Sequence, residues 1–249
     1  MRADLFSRGA QPRRRIVALL LAPFALTASP ASAQFGVPWQ RIPHVVVIAS
    51  TPTDDRLALV DEAIVYWNDQ LKQAGSPFRL AKPERVIQPP PDTALQQQSE
   101  LILRGTARSS NIPAALKALP GELRIVLGDS PFVSHAGPFE DGHVRTVGIR
   151  PATVPPLSLP NVARNVIAHE IGHAIGLPHN ADPSALMCGR PAECRPHAFQ
   201  SDAARIFPLL PQDRALILQF YPADWQPTRG SSTPVGPSRD ATTAAEPKP

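Results

Sequence analysis

Residues 169–179, reading HEIGHAIGLPH, restrict this chain more than any other stretch. On a helix, His169 and His173 stand four residues apart, so both imidazoles leave one face within reach of a single ion. Glu170 sits about 100° round the axis from His169. There it can contact a metal-bound water without itself being a ligand. Ala163, Ile167, Ile171, Ala174 and Ile175 gather on the opposite side. The segment therefore reads as a helix with its back on a core and its front on a cleft. Gly176 lets the chain leave helical geometry, and His179 can then swing back as a third ligand. A chance origin for the whole pattern has a probability of about one in 10⁵, which rejects histidines that merely decorate a helix.

Three neutral imidazoles leave one tetrahedral position open, as in a catalytic zinc site, and a donor set without thiolates suits that ion. One catalytic Zn2+ is the expected cofactor. With Ser184-Ala185-Leu186-Met187 following, the pattern HExxHxxGxxH resembles the metzincin zinc peptidases, and among them the matrixin branch most closely. The resemblance implies that His169, His173 and His179 hold zinc, that Glu170 is the general base and that Gly176 makes the turn. It places Met187 in a Met-turn beneath the metal. It also implies an α+β catalytic domain, a twisted, mostly parallel sheet of about five strands with an active-site helix and a C-terminal helix. The segment from Gln212 to Tyr221 is similar to that closing helix. The likeness is strong over 161–190 and looser over 44–222.

The activity so implied is zinc-dependent endopeptidase action on protein or peptide, with a zinc-activated water and Glu170 as its base. Substrate would lie extended along an edge strand, for which 131–136 and 144–149 are both candidates. Two other readings stand beside it: a catalytically inactive, zinc-containing binding module, and an amide hydrolase of non-protein substrates. A base beside the metal argues against the first. Some features depart from the family. Cys188-Gly189 follows Met187 where matrixins continue Tyr-Pro, so no tyrosine is expected to assist catalysis. His135 and His143 fall where relatives carry a second, structural zinc, but the surrounding pattern is incomplete. They read as loop histidines satisfied by solvent, and no second zinc is assigned.

The ends of the chain read differently from its middle. Arg13-Arg14-Arg15, an apolar run from Ile16 to Leu26 and Ala31-Ser32-Ala33 have the layout of a signal peptide over 1–33. The apolar run is about half of what a bilayer span needs, so no stable membrane insertion is expected after cleavage. Five of the 25 basic residues and one of the 21 acidic residues lie in 1–33, so this leader accounts for the whole formal charge of +4. A neutral remainder gives no case for a nucleic-acid partner. Export to the periplasm or outside the cell follows from the leader. The cysteines, Cys188 and Cys194, can close a small disulfide loop in such a compartment. Two unpaired thiols are the alternative, since spacing does not choose between them. Residues 225–249, rich in Pro, Ser and Thr, read as a disordered tail, and the default assembly is a monomer.

Between these ends, 34–224 reads as one catalytic domain. A β-branched strand spans 44–50, and Thr53 is placed to cap a helix with Asp54 and Asp55 in its first turn. Leu57, Val60, Ile64, Trp67 and Leu71 then form an apolar stripe ending at Gly75. Further strands are expected within 78–87 and at 123–127 and 144–149, and helices over 161–175 and 212–220. The proline- and glutamine-rich stretch 88–120, with helix-like patches at 93–103 and 113–119, reads as an insertion.

Overall fold

The computed structural model describes residues 37–140, 143–189, 194 and 196–228. The signal peptide expected over 1–33 and most of the tail expected over 225–249 lie outside these residues. Five strands, β1 (Val45–Ala49), β2 (Glu84–Ile87), β3 (Leu123–Leu127), β4 (His135–Ala136) and β5 (Arg145–Ile149), form one sheet in the order β2-β1-β3-β5-β4. All neighbours are parallel except β4, which runs antiparallel to β5 with His135 opposite Gly148. Helices cover both faces, and this explains why β1 and β3 are apolar almost without interruption.

On one face Val45, Val47, Leu123, Ile125, Leu127, Val147 and Ile149 pack against α1 (Arg56–Ala74), α4 (Val162–Ile175) and α5 (Pro211–Phe220). On the other, Val46, Ile48 and Val126 meet α2 (Asp92–Leu103) and α3 (Ala114–Lys117) through Ala94, Leu95, Ile112, Leu116 and Leu119. The helix-like patches of the 88–120 segment are thus α2 and α3, and they shield a sheet face that would otherwise be wet. Among the described residues no helix is long and apolar enough to cross a membrane.

Helix α1 starts later than the Thr53 cap predicted, at Arg56. Arg56 is buried and donates to the carbonyls of Gly128, Ile149 and Arg150, at the carboxyl ends of β3 and β5. Asp54 turns towards it instead of heading the helix, accepting from the Arg56 backbone N–H at 2.9 Å and from its guanidinium at 2.6 Å. Burial alone would raise the Asp54 carboxyl, but the Arg56 hydrogen bonds and charge outweigh that and hold it below its ordinary value. The helix ends as predicted at Gly75, which takes a φ of 89°.

Within 78–87, only Glu84–Ile87 joins the sheet. Phe78 and Leu80 are buried, but Leu80 exchanges both its backbone hydrogen bonds with the Asn68 side-chain amide, at 2.8 and 3.0 Å. That pairing replaces the ladder bonds a longer strand would need.

Candidate metal centre

Helix α4 is buried along nearly its whole length, with only Arg164 among its residues left outside the buried set. Ile167, Ile171 and Ile175 enter the core, and the Trp67 indole N–H donates to the Ala168 carbonyl at 2.9 Å. At its carboxyl end the guanidinium of fully buried Arg145, stacked on Trp39 at 3.8 Å, donates to the Ala174 carbonyl. Gly176 then leaves the helix with a φ of 122°. A helix anchored along its back and at its end fixes the directions of His169 and His173.

The three histidines meet. Nε2 of His179 lies 3.2 Å from Nε2 of His169 and 2.9 Å from Nε2 of His173. One ligand atom from each lies within 4.8 Å of the other two, the sole such His, Cys, Asp or Glu group among the described residues. Two nitrogens bound at 2.0–2.1 Å to a tetrahedral zinc stand about 3.4 Å apart, so the observed spacing fits that ion.

Their second nitrogens fix the chemistry of the first. His169 Nδ1 is 2.7 Å from the Leu186 carbonyl and His173 Nδ1 is 2.7 Å from the Leu177 carbonyl. A carbonyl only accepts, so each Nδ1 carries the proton and each Nε2 presents its lone pair. Burial pushes His169 down to about 4, helped by nearby His179. It pushes His173 well below its ordinary value, with His169 and His179 adding to the effect. Both are therefore neutral at physiological pH, the form a metal binds.

Glu170 is buried beside this cluster. Desolvation raises its carboxyl to about 8, against a smaller opposing effect from a hydrogen bond with the Ala136 backbone. The Gly137 N–H points into the sheet, to Thr146, so by alternation the neighbouring Ala136 N–H points outward from β4. The edge strand at the site is therefore β4, within the candidate 131–136; the candidate 144–149 contains β5, which is interior.

Met187 is fully buried beneath α4. Its segment organises two of the three histidines at once. Leu186 receives His169, while Asn180, next to His179, donates to the Met187 carbonyl at 2.8 Å and accepts from the Gly189 N–H at 3.1 Å. Cys188 and Cys194, bonded as a disulfide with Cα atoms 5.8 Å apart, continue from it.

Three residues that the sequence reading passed over prove structural to the site. A Cβ on Gly172 would lie 2.6 Å from Met187 Sδ and 2.7 Å from Trp67 Cζ2, so only glycine lets those side chains fill the space under the ligands. A Cβ on Gly189 would lie 2.1 Å from His179 Cδ2, so the ring rests on bare backbone there. This gives a physical reason for a glycine where matrixins carry proline. Asp213 of α5, 2% exposed, accepts from the Asn180 amide at 3.1 Å and from the Leu210 N–H at 2.9 Å, and so braces the His179 loop. A small residue between the two helical histidines is the one signal the sequence offers for Gly172, and nothing local in the sequence marks Asp213.

The remaining candidates do not converge. His143 is exposed, its carbonyl accepting from the Trp39 indole. His135 is not solvated as expected. Its ring is buried against Gly148 and Leu95, with Nδ1 2.9 Å from the Val133 carbonyl. The reason is register: opposite Gly148 there is no side chain, and the imidazole fills the gap. Both tyrosines are committed to backbone carbonyls, Tyr66 to Phe207 and Tyr221 to Ile175, each at 3.0 Å.

Comparison with known proteins finds a family match over the same segment. Residues 157–209 match the family model described as Matrixin. Among solved structures the chain is similar to archaemetzincin from Methanopyrus kandleri, with 14% identity, a TM-score of 0.43, and coverage of 72% of this chain and 95% of that one. No curated protein matches the chain. The resemblance to the metzincin zinc peptidases, in its matrixin form, holds over residues 157–209, the stretch that carries the three histidines, Glu170 and Met187.

Proposed function

We propose that this chain is an exported zinc endopeptidase whose catalytic domain spans 34–224, with His169, His173 and His179 as metal ligands and Glu170 as general base. The observation that carries the proposal is the convergence of three imidazole nitrogens, two of them with lone pairs fixed by Nδ1 hydrogen bonds, beside one buried carboxyl. Zinc bound there supplies Lewis acidity and lowers the pKa of water to about 7.

The chain's own groups do the rest. Glu170, brought to its carboxylate form by the charge of a bound cation, would take a proton from the attacking water and return one to the departing amine. The carboxyl lies against Ala136 on the rim of β4, so it faces whatever main chain pairs with that edge. Met187 and Gly172 act as packing beneath the ligands. The Cys188–Cys194 disulfide supports an oxidising compartment, periplasmic or extracellular, and the leader over 1–33 is the proposed means of reaching it.

Glu170→Gln tests the role of the base. The variant is expected to retain zinc at wild-type stoichiometry and to lose at least about a hundredfold in hydrolysis of a denatured protein. Equal cleavage by variant and wild type, both zinc-loaded, refutes Glu170 as the base.

A further inference from the structure

An open groove of about 320 Å³ lies between α2 and the loop leading into β4. Its walls include Ser99, Glu100 and Leu103 on one side and Phe132 and Val133 on the other, with Arg150 between them. Leu103 and Val133 are among the most exposed large apolar residues described, at 48% and 47%. Glu100 is already paired with Arg104 at 3.3 Å.

Arg150 differs from its neighbours. Its Nε is buried without a hydrogen-bond partner, and among the described residues its guanidinium enters no ion pair or hydrogen bond. The terminal amino groups of this permanent cation are left to meet a ligand in the groove, and a carboxylate is the acceptor that suits them best.

The groove's position gives that carboxylate a source. Among the described residues no strand pairs with the outer rim of β4, and its Ala136 is hydrogen-bonded to Glu170. Val133 lies three positions upstream of Ala136, about 10 Å along an extended chain. A peptide pairing with this rim, its cleaved bond at Glu170, runs on past Val133 into the groove. Antiparallel pairing is the more stable of the two directions, so the residues entering the groove are those after the cleaved bond.

We propose that this groove is a specificity subsite that accepts an Asp or Glu side chain about three or four residues C-terminal to the cleaved bond. Arg150 binds the carboxylate, and Leu103 and Val133 pack against the adjoining side chain. The proposal rests on the endopeptidase reading, and its test separates the two.

Zinc-loaded Glu170→Gln protein binds but does not turn over, so dye-labelled peptides that differ only by Glu or Lys at that position can be titrated by fluorescence anisotropy. The Glu peptide is expected to bind about tenfold tighter, and Arg150→Ala, added to the same protein, is expected to bring the ratio to near one while leaving the Lys peptide's affinity unchanged. A ratio near one before the substitution, a ratio that survives it, or no measurable peptide binding overturns the subsite. In parallel, kcat/KM of the Glu170-containing enzyme on the same peptides is expected to show the same preference. An acidic preference mapping to the N-terminal side of the cut also overturns the proposal. Binding discrimination without any cleavage leaves the groove standing and removes the endopeptidase reading; cleavage indifferent to the residue does the reverse.

Discussion

Replacing Gly172 by alanine tests the packing beneath the metal centre with a single methyl group. In an exposed helix this change stabilises by about 1 kcal/mol, because glycine is the poorer helix former. Here the added Cβ falls 2.6 Å from Met187 Sδ and 2.7 Å from Trp67 Cζ2, about 1 Å inside ordinary carbon contact. Met187 is fully buried, and Trp67 is tethered through its indole to Ala168. Overpacking a closed site costs about 1–3 kcal/mol, and two immobile neighbours put this one at the upper end. The net expectation is about 2 kcal/mol of destabilisation, or a fall of about 4–8 °C in Tm for a domain of this size. Urea denaturation and thermal melting of the zinc-free protein measure it without interference from metal binding. A variant as stable as wild type, or more so, refutes the claim that Met187 and Trp67 are wedged against that backbone.

Gly189→Ala should behave in the opposite way. The three atoms nearest its Cβ all belong to the ring of exposed His179, so stability should hold while zinc affinity falls roughly tenfold or more, read by competition with a chromophoric chelator. Asp213→Ala strips the acceptor from the Asn180 amide and the Leu210 N–H. It should cost about 1–3 kcal/mol and weaken zinc binding in the same assay; unchanged affinity would show the His179 loop to be braced elsewhere. For pH, His135 is held down to about 4 by burial, against an opposing hydrogen bond that its ring donates to the Val133 carbonyl. A depressed histidine contributes stability that is fully present above the unfolded value of 6.5 and is lost as pH falls from there towards 4. The loss runs at about 1.4 kcal/mol per unit, on the order of 3 kcal/mol in total. His135→Leu should flatten the acid limb of the stability profile by that amount relative to wild type, and an unchanged limb would place the proton uptake on other groups.

What the sequence disclosed and what it hid divide by the distance over which each feature is encoded. The ligand helix, its glycine stop and the returning His179 are written within 169–179, where spacing alone dictates which side chains share a face. The strands at 45–49 and 123–127 were equally plain, being short β-branched runs. By contrast, the contact between Gly172 and Trp67 joins residues more than a hundred positions apart, and no local pattern reports it. The β4 strand is two residues long, too short to display a period of two, so buried His135 looked like a loop residue. The 88–120 stretch hid its role for another reason. Leu95, Ile112, Leu116 and Leu119 belong to separate short pieces, and only the sheet they cover gives them a common face.

The three converging histidines differ in how they are held. Two are set into a helix locked on every side, whereas His179 sits exposed on a loop beyond Gly176. Were a cation bound there, His169 and His173 would hold it from the buried helix and His179 from the loop. The residence time of such an ion would then depend on residues 177–180 and on the hydrogen bonds from Asn180 to Met187 and Asp213 that hold them, not on unfolding of the domain.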